Sequence, residues 1–386
     1  MHAILKDRED TKGFFFPFEG ERHLATFVLV PYREDTWRLH AAPAIEEFLS
    51  VVKTIAAYEM VVVIIDPRID ESIVARFEMK NTHILRLPYD DSWARDSLPI
   101  FLRNEKEILG VDFGFNSWGG DYNGLYHPWE NDDRLGREAL LELMIHRHPA
   151  KDFILEGGSV HSDGEGTLLT TECCLLSKGR NPSLTKDQIE ERLKKELQVK
   201  KVLWLPEGID EDETDGHVDN IACFLKPGVV ALAESENPAD PQYEMSKKDR
   251  EYLENQTDAN GRKLEIVSFP LPKIPLQLTK EEADGIVSDE DAIQRKPGRR
   301  LAASYINFYQ GERFVLVPQF GVEEDQEAVA LLRSIYPDKD ILPIRSREIL
   351  LGGGNIHCIT KQIPYRYGYE IEPKEEESAA TKEKTE

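Results

Sequence analysis

Residues 217–234 read HVDNIACFLKPGVVALAE: a polar head, an apolar run, a Lys-Pro-Gly turn and a second apolar run. A short apolar run bounded by turn residues marks a buried strand, and two runs across a Gly-containing turn make a hairpin. The pattern recurs along the chain. Upstream, Trp93–Leu102 (WARDSLPIFL) leads through RNEKE into Ile108–Phe113, and Glu156–Ser162 (EGGSVHS) leads through DGEG into Thr167–Leu176. Downstream, Ser304–Gln310 leads through Gly311-Glu312 into Arg313–Gly321, and Gly352–Pro364 (GGGNIHCITKQIP) is a fifth copy where the apolar sequence ends. Helical periodicity falls between copies at Leu135–His146, Thr185–Leu197 and Glu323–Tyr336, with N-cap chemistry at Ser183 and Thr185. Before the first copy, His23–Pro31, Ala44–Tyr58 and Val61–Ile65 read as strand, helix and strand. Repetition of hairpin plus helix predicts one radial α/β assembly rather than independent domains.

Composition narrows the function. Of 386 residues 40% are hydrophobic, enough for a sizeable core and too many for a disordered chain. Lys plus Arg is 48 against 72 Asp plus Glu, a net charge of −24. Such a balance opposes binding to nucleic acid or to an anionic membrane and suits a small cationic ligand. The N-terminal MHAILKDREDTKG lacks an apolar stretch of signal-peptide length, and the longest apolar run, Met60–Ile65, is too short to span a bilayer. No pair among Cys173, Cys174, Cys223 and Cys358 has zinc-ligand spacing, and adjacent cysteines are a poor start to a disulfide framework. These features predict a reduced, soluble, cytoplasmic protein. Residues 235–300, polar and proline-containing, read as an excursion over one face, helical near Lys247–Glu254. The charged segment 367–386 reads as a disordered tail.

The chemistry sits in the heads of the repeats. Cys358 follows Gly352-Gly353-Gly354, and three glycines cost enough backbone entropy that close backbone approach must require them. The alternative is a cysteine buried as a small hydrophobe. His217 and Asp219 share a face if their segment is extended, so one can move protons while the other holds a cation. Between Leu205 and Asp219 stand seven acids (Glu207, Asp210, Glu211, Asp212, Glu213, Asp215 and Asp219) and no Lys or Arg, which reads as a solvated loop or the rim of a cation pocket. Glu156 precedes two glycines and Asp96 precedes a strand. Asp215-x-His217-x-Asp219 also spells the D-x-H-x-D of binuclear manganese ureohydrolases, which act on guanidinium compounds too. Those need a second aspartate cluster and further histidines, and no clear D-x-D in strand context follows.

Six motifs in order, Trp93-x-Arg-Asp96, Phe115-Asn-Ser-Trp-Gly-Gly120, Leu155-Glu-Gly-Gly158, Leu176-Ser-x-Gly-Arg-Asn-Pro182, Glu213-Thr-Asp-Gly-His-Val-Asp219 and Gly352-Gly-Gly-Asn-Ile-His-Cys358, together resemble the agmatine deiminases. These are a branch of the guanidino-group-modifying pentein superfamily, related to the peptidylarginine deiminases. The resemblance spans about Phe14 to Pro364. It implies a fivefold pseudosymmetric α/β propeller of ββαβ modules, one domain over residues 1–366. It implies hydrolysis of agmatine to N-carbamoylputrescine and ammonia, a step of putrescine biosynthesis, with no cofactor and no metal. By the match Cys358 is the nucleophile that carries an S-alkylthiouronium intermediate, His217 the acid/base, Glu156 its partner, and Asp96 with Asp219 the guanidinium clamp. Around them Trp93 is expected as an apolar wall, Glu213 as the partner of the far ammonium, and Gly353 and Gly354 as substrate-binding backbone. The expected partner is a small cationic guanidine, with no nucleic acid and no membrane; self-association is left open. Two departures stand out: Ser97-Leu98 follows Asp96 where Cys-Gly is familiar, and Lys361 stands where Gln is common. The manganese ureohydrolase, another guanidine or peptidylarginine deiminase, an amidinotransferase and a non-catalytic pentein remain as alternatives.

Overall fold

In a computed structural model that describes residues 7–371, the strands fall into five separate sheets. Four of them repeat one connectivity: an antiparallel hairpin, a helix, and a third strand parallel to the second. In the segment quoted first, Ala222–Lys226 pairs antiparallel with Val229–Glu234, the helix Pro241–Glu254 follows, and Glu265–Pro270 returns parallel. The equivalent elements are Ile100–Arg103, Ile108–Gly114, Glu130–Glu142 and His146–Ile154 in the first module. They are His161–Ser162, Thr167–Thr171, Lys186–Leu197 and Lys201–Leu205 in the second. The fourth has Tyr309–Gln310, Phe314–Gln319, Glu324–Ile335 and Asp340–Arg345.

The fifth module is assembled from the two ends of the chain. Thr360–Pro364 pairs antiparallel with His23–Leu29, so the first strand of the last repeat finds its hairpin partner near the N-terminus. The helix Ala42–Ala56 and the parallel strands Met60–Ile65 and Thr82–Arg86 complete it. The architecture is the pseudosymmetric propeller of ββαβ modules that the family resemblance implies, and it agrees with the radial assembly that the repeats predict.

Local chemistry accounts for the elements. Lys186–Leu197 starts in a capping box between Thr185 and Gln188, and Ile189, Leu193 and Leu197 recur every four residues on its buried face. Loss of such a cap costs about 0.5–2 kcal/mol. The central strands are covered on both faces, so they read as unbroken apolar runs rather than alternating ones; Val229–Ala233 is buried throughout. One apolar cluster takes Leu203 from the second module, Phe224 and Val230 from the third and Val315 from the fourth, which welds neighbours into one assembly.

Four expectations need correction. Much of 235–300 belongs to the third module, because 241–270 supplies its helix and last strand; that strand has a single buried residue and no apolar run to betray it. The first module's helix begins at Glu130, with Glu130, Asp132 and Asp133 favourably placed against its positive end, and His146 already starts the next strand. Thr167–Thr171 stops short of the cysteines, and Glu172–Leu175 forms one helical turn whose Cys174 amide donates to the Thr171 hydroxyl. Of the expected tail, 372–386 lies outside the described residues, while Tyr369 and Ile371 pack on an apolar cluster. No helix among the described residues is long and apolar enough to cross a membrane.

Candidate active site

Every repeat head lies immediately before the first strand of its module, and the heads meet at the centre of the ring. Asp96 lies in the helical turn Ala94–Ser97, and Glu156 precedes the turn Gly157–Ser159. His217 begins the turn Val218–Ile221, which carries Asp219. The His217 segment is therefore not extended: Asp215 and Gly216 take left-handed φ of 65° and 91°, and a helical turn brings His217 and Asp219 inward. Asn307 comes from the fourth head and Cys358 from the fifth. All six side chains are buried.

Around the sulfur the geometry is tight. Cys358 Sγ lies 3.8 Å from Asp219 Oδ2, and the Asn307 amide Nδ2 lies 3.2 Å from Sγ. Asp96 accepts from Gly158 N at 2.8 Å through Oδ1 and from Trp118 Nε1 at 2.9 Å through Oδ2. His217 stands between two carboxylates, with Nδ1 3.8 Å from Asp96 Oδ2 and Nε2 3.9 Å from Glu156 Oε2. Glu156 Oε1 is 2.8 Å from Arg180 Nε, both side chains wholly buried. Arg180 also donates to Asp215 and to the Thr214 carbonyl, tying Glu156 to the loop that carries His217. Asp219 Oδ1 and His217 Nε2 are buried with no hydrogen-bond partner, and buried polar atoms in that state usually serve a ligand or a reaction.

The charges set the protonation. Burial pushes the Cys358 thiol well above its ordinary range, and the neighbouring carboxylates of Asp219 and Asp96 push it further. Burial also raises Asp96, reinforced by Asp219 and Glu156 and opposed by His217. Asp219 goes the other way: against the cost of burial, the hydrogen bond and charge of His357 hold it below the usual carboxylate range.

A cavity opens from this centre between Trp93, Trp118, Tyr126, Glu213 and Gly352–Gly354. The glycines allow it to be so narrow. Gly353 has a φ of 111°, and a Cβ there would stand 2.6 Å from Glu213 Oε2; at Gly354 a Cβ would stand 2.5 Å from the Trp93 ring. Trp93 packs at 5.2 Å centroid separation on Trp37 and donates from Nε1 to Asp91 at 3.0 Å. Glu213 reaches the cavity, but two arginines already hold it. Arg295 donates to its carboxylate at 3.1 and 2.7 Å, and Arg299 lies 3.2 Å away. The rim is therefore not free of base: residues 271–303 bring Arg295 into the lining, where it also donates to the Gly352 carbonyl.

The manganese constellation does not assemble. Asp215 turns to Asn123, Ser177 and Arg180, away from Asp219. Among the described residues the group able to share an ion is Glu156, Cys174 and His217. Arg180 already places a fixed cation on Glu156, which opposes a divalent ion there.

Sequence reasoning brought together Asp96, Glu156, His217, Asp219 and Cys358, and placed Trp93, Glu213, Gly353 and Gly354 around them. It gave no role to Asn307, His357, Arg180 or Arg295. Asn307 was within reach, because the fourth head repeats the pattern without a designated side chain. Arg180 lies inside a quoted motif, whereas nothing local marks Arg295.

The sequence family described as Porphyromonas-type peptidyl-arginine deiminase matches residues 15–364. A Listeria monocytogenes protein (serotype 4b, strain F2365), provisionally named agmatine deiminase 1, is 47% identical over 354 residues, 91% of this chain and 96% of that one. The structure described as the agmatine deiminase of Enterococcus faecalis catalysing its reaction has a TM-score of 0.90 at 38% identity, covering 95% of this chain and 100% of its own. A cysteine-to-serine variant of a C. jejuni agmatine deiminase with substrate bound has a TM-score of 0.78 at 26% identity, covering 92% of this chain and 97% of its own.

Proposed function

This chain belongs to the family of Porphyromonas-type peptidyl-arginine deiminases, and from that membership we propose that it is an agmatine deiminase, hydrolysing agmatine to N-carbamoylputrescine and ammonia. The observation that carries the reading is the convergence of Cys358, Asp96 and His217 on one cavity, with Asp219 Oδ2 3.8 Å from the sulfur and Asp219 Oδ1 buried without a hydrogen-bond partner.

The guanidinium of agmatine stays protonated at working pH. Asp96 and Asp219 accept its N–H groups and hold its carbon before Sγ. Binding also changes the sulfur. The charges that keep the thiol protonated in the empty site are those the bound cation neutralises, so substrate and thiolate stabilise each other. The thiolate attacks the guanidinium carbon and forms a C–S bond. His217 gives a proton to the departing nitrogen, the C–N bond breaks, ammonia leaves, and an S-alkylthiouronium remains on Cys358. His217 then takes a proton from water as its oxygen attacks the same carbon. The C–S bond breaks, the thiolate returns, the second proton of the water passes to solvent, where the released ammonia takes it up as ammonium, and N-carbamoylputrescine leaves. Glu156, anchored by Arg180, faces His217 Nε2 and orients the ring.

Trp93 walls the aliphatic chain, and the backbone at Gly353 and Gly354 flanks the clamp. The far ammonium lies on the side of Asp91 and Glu213. Asp91 accepts from the neutral donors Thr36, Trp37, Trp93 and the Ser92 amide, and among the described residues no ion pair reaches it. Glu213 meets the ammonium only by sharing its carboxylate with Arg295.

Incubation with agmatine should release ammonia and N-carbamoylputrescine in equal amounts, indifferent to chelator. Urea and putrescine as products, lost on chelation, would establish the ureohydrolase instead.

A further inference from the structure

Cys358 is preceded by a histidine with both ring nitrogens committed. His357 Nδ1 lies 2.8 Å from Asp219 Oδ2, and Nε2 lies 2.8 Å from Glu19 Oε2. The three side chains are buried, at 3%, 2% and 6% exposure for His357, Asp219 and Glu19. A neutral imidazole donates from one nitrogen only, so its other nitrogen would confront a carboxylate oxygen lone pair to lone pair. Two carboxylates in direct hydrogen-bond contact with the two ring nitrogens call for the doubly protonated ring.

The Asp219 oxygen that His357 takes is the one nearest the sulfur. Oδ2 is bonded to His357 and stands 3.8 Å from Sγ, whereas Oδ1 is buried with no partner. We propose that His357 is a positioning residue, held as an imidazolium between Asp219 and Glu19, which neutralises the Asp219 oxygen beside Cys358 and leaves the other oxygen for the guanidinium. One carboxylate then performs two tasks that would otherwise conflict. A bare Asp219 would attract the substrate but repel the thiolate that attacks it.

The surroundings fit that charge state. Arg95 is the cation that opposes it, with Nη2 3.2 Å from Glu19, and its Nε donates to the His357 carbonyl. Glu19 and Asp219 outweigh Arg95, and the ring titrates above the ordinary histidine value although burial and Arg95 both press it down. Two further titratable neighbours stand close by. His161, 6.3 Å away ring to ring, is pushed down to about 4 by burial and is neutral. Lys361, in the same back cavity, is lowered to about 7, by burial first and then by Arg95. Asn307 fixes the backbone, its Oδ1 accepting from the His357 amide at 3.0 Å.

The inference rests on Cys358 being the nucleophile, but its test reads the free thiol and needs no turnover. The pH dependence of iodoacetamide alkylation, followed on the Cys358 peptide by mass spectrometry, gives the thiol midpoint. His357→Gln should raise that midpoint by about one unit or more, slowing alkylation at pH 7 about ten-fold. The same variant should lose kcat while KM for agmatine changes less, because Oδ1 is untouched. Glu19→Gln, which touches neither substrate nor sulfur, should shift the midpoint the same way by less, since it makes His357 easier to deprotonate. In wild-type protein labelled with 15N-histidine, His357 should show both nitrogens protonated at pH 8. A neutral His357 in that spectrum, or an unmoved thiol midpoint in folded variants, overturns the proposal. Failure of wild-type protein to act on agmatine would instead strike the proposed function and leave the thiol measurement standing.

Discussion

Asp219→Asn should move two measurements in opposite directions. The substitution keeps the size of the side chain and removes its charge, which bears on substrate and on sulfur with opposite sign. For the substrate, a charged partner of a buried cation is lost, which costs about 2–5 kcal/mol, or tens- to thousands-fold in kcat/KM. For the sulfur, a carboxylate oxygen 3.8 Å from Sγ disappears. At an effective dielectric constant of 20 that contact is worth about 4 kcal/mol of repulsion toward a thiolate. His357 on the same oxygen offsets part of it. A net fall in the thiol midpoint of about one to two units remains, each worth ten-fold in thiolate at a pH below the midpoint. The sign follows from the structure: Asp219 raises the thiol, so its neutralisation lowers it and makes more thiolate at pH 7. The assays are ammonia release from agmatine and alkylation of Cys358 between pH 6 and 10. Turnover should collapse while iodoacetamide reacts about ten- to a hundred-fold faster. Slower or unchanged alkylation in a folded variant would falsify the electrostatic account, and retained turnover would remove Asp219 from the clamp.

Cys358→Ser should abolish turnover by about 10⁴-fold or more with the fold intact, since a hydroxyl supplies no anion here; circular dichroism and product assay together check it. Acid quenching of the wild type during turnover should leave a covalent adduct on Cys358. His217→Ala should lose about 10²–10⁴-fold, because one group serves as acid and then as base. Glu156→Gln should be milder, and the reverse order would mean that Glu156 contacts substrate. Agmatine should be preferred over free arginine, because Arg295, which lines the cavity, is occupied by Glu213 and the Gly352 carbonyl. Glu213→Ala should erode that preference from both sides, lowering kcat/KM for agmatine and freeing Arg295 to pair an α-carboxylate. Competition kinetics with the two substrates decide it, and an unchanged ratio would place Glu213 outside recognition.

The ring was legible because four of the five heads advertise themselves with an Asp, Glu, His or Cys in a turn before an apolar run, and the fourth repeats the apolar runs alone. The returning strands were not. Glu265–Pro270 and Asp340–Arg345 sit at the outer edges of their sheets, half-exposed and holding proline, so no run of apolar residues marks them. Closure was also hidden, because pairing His23 with Pro364 spans almost the whole chain. The same reason explains the rim. Glu213 and Arg295 lie 82 residues apart, and an acid-rich segment read by itself looks like an unpaired surface.

Those long-range partners leave one carboxylate different from the rest. Glu156 has Arg180 at 2.8 Å, Glu213 has Arg295 at 2.7 Å, and Asp219 has His357 at 2.8 Å. Among the described residues Asp96 accepts from an amide and an indole, and His217 is the cation-forming side chain within 4 Å, at 3.8 Å. Burial leaves Asp96 raised whereas Asp219 is lowered, so Asp96 has the more to gain from a cation. A guanidinium spanning Asp96 and the free oxygen of Asp219 completes that pattern and quiets the two charges nearest the sulfur. The selectivity for a cation and the activation of the nucleophile are then a single electrostatic event, which is why a neutral isostere of the substrate should fail at both.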